Sequence, residues 1–400
     1  DTRVVVKPRL LLAVASALTL VLTASAPMFA ATREAAPAPL RAASLVRLKD
    51  MAANGVSAKG PIMAVGYQET GNPGQLYLAF STDGGTDFRR TNGNLRRYPI
   101  VGIPTLGMSV DICAGRVWAA TAYRSATDKA GDSDVFLTSR TIGGGAAQAL
   151  MTSTADDRRV RDVTVSCVGG DLIAIGWLQR SDGKSSARLM IRSVEPLGST
   201  PAIKQVFDLG RAELGSGLDV ASTPSSVAVG FIRDGDLRIK RYAIGEDNSI
   251  APIPLKTIAW NDVKSPEMAA RGKRLVVAYS DAGKVRVKTS RDLGETFGSL
   301  RTLANTGGIK NPSVPWSIDV VGDQLVATVG AYSKAKGKVT PMRMTSSNFG
   351  QRWNKQAFGN VGARMAAFLK RPKQTAKLRE AWHNNAAKGA ADTLRARYEL

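Results

Sequence analysis

The side chains able to do chemistry in this 400-residue chain are arginines, carboxylates and a few aromatics. Its one histidine, His383, lies close to the C-terminal end, so acid–base or triad chemistry built on imidazole is excluded from everything before it. Two cysteines, Cys113 and Cys167, do not make a zinc site by themselves, and no phosphate-cradling glycine motif is present. Neither a metal nor an organic cofactor is expected. What recurs instead is a polar or aromatic group set between apolar runs: Arg97 with Tyr98; Arg158, Arg159 and Arg161 with Asp162; Arg211 with Glu213; Asp262 and Glu267; and Trp316. Guanidinium groups grip planar or tetrahedral anions through paired N–H donors. Together these residues describe a cationic, partly aromatic pocket for an acidic sugar or polymer. Solvated loop charge is the plain alternative for any single member. Glu267 and Trp316 stand apart because each interrupts a mostly apolar strand.

The elements that must position these groups come from a repeat. Six segments share an apolar strand built around a small residue: IMAVGY (62–67), VWAAT (117–121), LIAIGW (172–177), VAVGF (227–231), LVVAY (275–279) and LVATV (325–329). Aligned on Ala64, Ala119, Ala174, Ala228, Val276 and Ala327, they recur at intervals of 55, 55, 54, 48 and 51 residues. Another apolar run ending in a turn precedes most of them, as in SVDICAG (109–115), VTVSCVGG (163–170) and SIDVVGD (317–323). An alternating third strand follows, as in QLYLAF (75–80) and KVRVK (284–288). Period-two alternation with Gly and Asp turns is the signature of strands and hairpins. Four short antiparallel strands fit each repeat, and such units bury their faces by packing side by side and closing into a ring. The expected fold is all-β, a six-bladed β-propeller over 44–358, with the polar groups above at its mouth. Residues 43–48 alternate and are expected to help close the ring.

Where the third strand ends, STDGGTDF (81–88) fits the pattern Ser/Thr-x-Asp-x-Gly-x-x-Phe/Trp through Ser81, Asp83, Gly85 and Phe88. The pattern returns in SRDLGETF (290–297) through Ser290, Asp292, Gly294 and Phe297. A third copy, SSNFGQRW (346–353), has Ser346, Gly350 and Trp353 with Asn348 in the Asp place. SRTIG (139–143) and SVE (193–195) look like eroded remnants. On these motifs the chain resembles the Asp-box (BNR-repeat) sialidase-like β-propeller superfamily, as a bacterial secreted member, over roughly 44–358. Locally the Asp carboxylate accepts backbone N–H groups in a tight turn, Gly supplies a backbone conformation that other residues avoid, and the aromatic anchors the hairpin. The box is therefore structural, and the resemblance implies that it lies away from the binding face.

A working sialidase would also imply three arginines on the substrate carboxylate, a Tyr nucleophile with a Glu partner, and an Asp acid/base. Here the stretch matching the first arginine motif, ANGVSAKGP (53–61), holds no arginine. The late strand NPSVPWSI (311–318) holds Trp316 and no Tyr. The expectation is a non-catalytic propeller binding an acidic glycan or a cell-surface protein. The alternative is an exo-sialidase-type glycoside hydrolase with a divergent active site. Cys113 and Cys167 occupy matching places before the turn in consecutive repeats, and an exported chain meets oxidising surroundings, so a disulfide between them is expected.

The two ends differ from the repeat. Arg3, Lys7 and Arg9, an uncharged apolar run over 10–26, and small residues at Ala24, Ala26, Ala30 and Ala31 read as a secretory signal peptide over 1–31. A Pro- and Ala-rich linker over 32–43 follows, and 359–400 is a basic, partly helical tail. The formal charge is +22; the signal segment carries three bases and one acid, so about +20 remains. Such a field favours acidic partners. The bases look scattered and accompany no nucleic-acid motif, so no specific nucleic-acid partner is expected. The reading is a secreted monomer with no membrane-spanning segment after signal cleavage.

Overall fold

The structure, a computed structural model, describes residues 51–357 apart from 60–61, 70–71, 82–97, 101–102, 125–132, 143–147, 152–158, 170, 196–203, 215, 306–312, 322–323 and 334–337. The signal segment, the linker, residues 43–48 and the C-terminal tail lie outside the described residues. The described residues are all-β, in six antiparallel sheets of four consecutive strands. Sheet one holds β1 (Met51–Lys59), β2 (Ile62–Glu69), β3 (Asn72–Ser81) and β4 (Tyr98–Ile100). Sheet two holds β5 (Ile103–Cys113), β6 (Arg116–Arg124), β7 (Asp134–Thr141) and β8 (Gln148–Met151). Sheet three holds β9 (Arg159–Gly169), β10 (Leu172–Ser181), β11 (Lys184–Ser193) and β12 (Lys204–Arg211). Sheet four holds β13 (Leu218–Thr223), β14 (Ser226–Arg233), β15 (Asp236–Ile244) and β16 (Ile250–Ala259). Sheet five holds β17 (Lys264–Arg271), β18 (Arg274–Asp281), β19 (Lys284–Ser290) and β20 (Arg301–Asn305). Sheet six holds β21 (Ser313–Val321), β22 (Gln324–Ser333), β23 (Lys338–Ser346) and β24 (Asn354–Ala357). First strands stack in succession, from β1 beside β5 through to β17 beside β21.

Registers fix equivalent positions. The fourth residue of each second strand pairs with Val56, Val110, Val165, Val220, Met268 and Ile318, an apolar level through all six first strands. The fifth pairs with Gly55, Ser109, Thr164, Asp219, Glu267 and Ser317, and is itself Gly66, Ala120, Gly176, Gly230, Ala278 or Thr328. Packing explains why this fifth residue is small. A Cβ on Gly176 would stand 2.6 Å from Val220 Cγ2 of the next sheet, and one on Gly230 would run into Met268 Sδ.

The same frame corrects the aligned repeat. Ala174, Ala228 and Val276 face the following sheet, whereas Ala119 packs with Ala64 and Leu78 of sheet one, and Ala327 packs with Val276 and Val285 of sheet five. The alignment therefore slips by one residue in sheets two and six, where Trp118 and Val326 are the equivalents.

Each first strand is a sheet edge, and its outward N–H groups need acceptors. Oxygens of the preceding first strand supply them. Val165 N donates to Ser109 Oγ (3.0 Å), Cys167 N to Asp111 Oδ2 (2.6 Å) and Met268 N to Asp219 Oδ2 (2.7 Å). Ser222 Oγ donates back to Cys167 O at 2.7 Å.

Cys113 and Cys167 are joined, with Cα atoms 5.3 Å apart. They are not at matching places. Cys113 pairs with Arg116, the first residue of β6, but Cys167 pairs with Ile173, the second residue of β10. Equivalent residues point the same way around successive sheets and cannot meet. The one-place offset turns the two sulfurs toward each other.

Candidate functional site

The end of each sheet where its first strand begins is the entry end; the hairpin between first and second strands lies at the other, the box end. Register breaks cluster toward the entry end of first strands. In β9, Asp162 and Val163 together oppose Trp177, with Asp162 at φ 51°. In β17, Ser265 and Pro266 together oppose Tyr279, with Ser265 at φ 51°. Breaks also fall between Ala53 and Gly55, from Pro104 to Met108, and between Pro315 and Ser317. A bulge bends the strand and re-aims side chains, and left-handed φ at Asp162 and Ser265 carries backbone strain. Arg161, Asp162, Glu267 and Trp316 all stand within two residues of such a break. Arg97 lies outside the described residues; Tyr98 opens β4 and Trp316 lies in β21, their side chains outside the described set.

Arg211, Glu213 and Asp262 do come together, around the turn between β14 and β15. Asp234 and Gly235 take φ of 54° and 77° there. Arg211 Nη1 approaches Asp234 Oδ1 at 3.5 Å, and Gly235 N donates to Glu213 Oε1 at 2.5 Å. Gly235 O in turn accepts from Val263 N (3.0 Å). Asp262 Oδ1 meets Lys264 Nζ at 3.3 Å, with both side chains largely exposed. Glu213 therefore acts as a clamp between sheets, and the two ion pairs are of the exposed kind that opens at little cost.

Trp260 was not singled out from the sequence, although it directly precedes Asn261 and Asp262 in the same segment. It follows β16 at the entry end and is 59% exposed. Asn261 and Asp262 take left-handed φ of 72° and 57°, which sets the turn that carries the indole. Lys288 Nζ stands 5.9 Å from the indole ring and donates to Ile258 O at 2.6 Å. Burial first, and Lys256 second, lower the pKa of the Lys288 ammonium.

Two tyrosines have described side chains, Tyr242 and Tyr279. Burial pushes the phenol of each up to about 12, with Asp208 adding to the effect on Tyr242 and Asp281 to that on Tyr279. That is the wrong direction for a tyrosine nucleophile. Asp111 and Asp219 are each engaged by two backbone N–H groups, their own following residue and the next sheet's first strand. Among the described residues no group of three or more His, Cys, Asp and Glu side chains is placed to hold a metal ion.

At the box end, 290–297 and 346–353 form the same turn. Ser290 Oγ donates to Asp292 Oδ1 (2.6 Å) and accepts from Gly294 N (2.6 Å), while Thr296 N and Oγ1 donate to Asp292 at 2.8 and 2.5 Å. Ser346, Asn348 and Gly350 repeat the scheme, with Arg352 N donating to Asn348 Oδ1 at 2.9 Å. Leu293–Gly294 and Phe349–Gly350 all have positive φ. The hydroxyl of Ser290, then the hydroxyl and N–H of Thr296, pull the Asp292 carboxyl well below the ordinary range. Phe297 and Trp353 are partly buried against neighbouring clusters. Ser81 ends β3; Asp83, Gly85 and Phe88 lie outside the described residues.

No family profile and no curated protein matches the chain. Among solved structures it is similar to a fucose-binding lectin of Aleuria aurantia at TM-score 0.45 and 11% identity, covering 78% of this chain and 96% of that one. A phage phi92 endosialidase gives TM-score 0.40 at 10% identity, over 74% of this chain and 54% of that one. A Trypanosoma rangeli sialidase gives 0.37 at 14% identity, over 67% and 50%. Likenesses this distant assign neither activity nor ligand to this chain.

Proposed function

We propose that residues 44–358 form a closed six-bladed propeller of the Asp-box kind, exported from the cell, which binds an acidic glycan at the entry end without cleaving it. The observation that carries the reading is Trp260: an exposed indole on a strained Asn–Asp turn, beside the ion pair of Asp262 and Lys264. An aromatic face stacks on a sugar ring, and Lys264 exchanges a solvent-exposed partner for a ligand carboxylate at little cost. Binding is favoured over hydrolysis because the two described tyrosines are held protonated and Asp111, Asp219 and Glu213 serve as clamps. Incubating the protein with a fluorogenic sialoside and a panel of acidic glycosides tests this. The reading expects no enzyme-dependent release; robust turnover overturns it.

A further inference from the structure

Two lysines share the seam between sheets four and five, Lys256 from β16 and Lys288 from β19. Each ammonium donates to a backbone carbonyl across the seam, Lys288 Nζ to Ile258 O at 2.6 Å and Lys256 Nζ to Glu295 O. Each also stands by an aromatic ring, Lys288 Nζ 5.9 Å from the centre of Trp260 and Lys256 Nζ 5.8 Å from that of Phe297. A carbonyl takes one of an ammonium's three N–H donors and does not balance its charge. Among the described residues neither ammonium is in an ion pair. The two charges oppose each other instead: burial, and after it the Lys256 charge, lower the pKa of Lys288. A half-buried pair of like charges without a counterion is a cost that the fold carries and that a bound anion removes.

Lys264, across the strained turn from Trp260, lies in the first strand of sheet five, and Lys288 lies in the third. Lys264 pairs with Ser280 and Ser280 with Val285, so Lys288 stands two strands away and three residues further toward the box end. Strand spacing and rise put the two backbone positions about 14 Å apart. With Lys288 Nζ held at Ile258 O, one acid group on one sugar ring does not serve both lysines. We propose that the acidic glycan at Trp260 carries a carboxylate on each successive sugar unit, and that Lys288 and Lys256 form a second acid subsite for it, with Lys264 holding the first. The inference rests on the reading of Trp260 as the sugar-stacking platform and adds the class of glycan. One unit stacks on the exposed indole, and units along the chain bring their carboxylates to Lys264 and to the lysine pair. An ammonium is a compact point charge on a flexible stem, so it meets a carboxylate in whatever orientation the sugar linkage sets. A glycan with a single terminal acid leaves the pair unbalanced.

The test is calorimetric titration of the whole protein at low salt with galacturonic acid and with tetragalacturonate. Lys256→Gln/Lys288→Gln is compared with Trp260→Ala and with Lys184→Gln/Lys204→Gln, a control pair of exposed lysines on sheet three. The parent is expected to bind the tetramer at least tenfold more tightly than the monomer, because a second acid is engaged. In the Lys256/Lys288 variant that advantage should fall below fourfold, and in the control it should stay within twofold of the parent's. Amine acetylation of the parent, read by mass spectrometry, decides where the variant fails to fold: tetragalacturonate should slow labelling of Lys288 at least threefold, and the monomer should not. Equal affinity of the parent for the two ligands, a lysine variant that keeps the tetramer's advantage, an equal loss in the control or a Lys288 left unprotected each overturns the second subsite. Monomer binding that still needs Trp260 then leaves the entry-end reading standing. Binding of neither ligand, or binding that Trp260→Ala leaves unchanged, overturns both.

Discussion

Replacing Asp219 by alanine removes the acceptor for Met268 N at 2.7 Å, for Val220 N at 2.9 Å and for Thr164 Oγ1 at 3.3 Å. Val220 N is a partly buried partner within the same strand as Asp219, whereas Met268 N is the donor from the next sheet that the side chain caps, so the inter-sheet cost falls on Met268. That residue is buried at the junction of sheets four and five, and a buried donor left without a partner costs about 1–3 kcal/mol. Adding the lost charge-assisted character brings the expectation for Asp219→Ala to about 3 kcal/mol. For a domain of this size that is a fall of roughly 6 °C in Tm. Asp219→Ser should recover a large part of it, since Ser109 holds the equivalent place in sheet two and accepts Val165 N at 3.0 Å. Differential scanning calorimetry of the three proteins reads the effect. A loss below about 0.5 kcal/mol for alanine, or a serine variant as damaged as alanine, refutes side-chain capping of the first-strand edges.

Three further outcomes follow from the geometry. The depressed Asp292 carboxyl contributes stability above the ordinary Asp pKa of about 3.9, lost as pH falls below it toward the folded value. Asp292→Asn keeps the acceptor that Asn348 shows to be sufficient, so its Tm should fall less between pH 5 and pH 2.5 than the parent's; equal falls contradict the assignment. Cys113→Ser/Cys167→Ser opens a loop with a sequence separation of 54 and should cost about 4 kcal/mol in the chain-entropy picture, read by denaturant midpoint against the oxidised parent. Ring closure has its own test: Val321 and Ala58 hold the register places of Cys113 and Cys167, so Val321→Cys/Ala58→Cys should cross-link on oxidation and shift mobility on a non-reducing gel. Free thiols at both sites leave the sixth sheet unjoined to the first.

Much of the fold was legible because turns and apolar strands recur with each four-stranded sheet. The one-residue slips at Ala119 and Ala327 have a physical cause. Both faces of these second strands are buried, as Val117, Trp118, Ala119 and Ala120 show, so alternation lacks the polar marker that fixes register. The cysteines were read at one level because each precedes its turn; the skip of Val168 in the pairing of β9 with β10, which leaves them one place apart, is a shift no pattern announces. At the entry end, Glu267 and Trp316 were singled out because each interrupts a mostly apolar strand, and the register breaks beside them, like the one at Asp162, are a feature that alternation alone does not specify. Arg211 and Asp262 were read as charges; the ion pair of Arg211 with Asp234 depends on which turns meet, whereas Asp262 and Lys264 are two residues apart in one segment. Trp260 was passed over as one more apolar residue at a strand end; exposure, which sequence does not carry, sets it apart.

The claim that the entry end binds an acidic glycan and leaves it intact is tested most directly by calorimetric titration of the protein with a sialylated oligosaccharide, followed by chromatography of the recovered ligand. Saturable heat, ligand recovered whole, and loss of at least tenfold in affinity for Trp260→Ala at unchanged Tm is the predicted result. Cleaved ligand, or a Trp260→Ala variant that binds as the parent does, contradicts it.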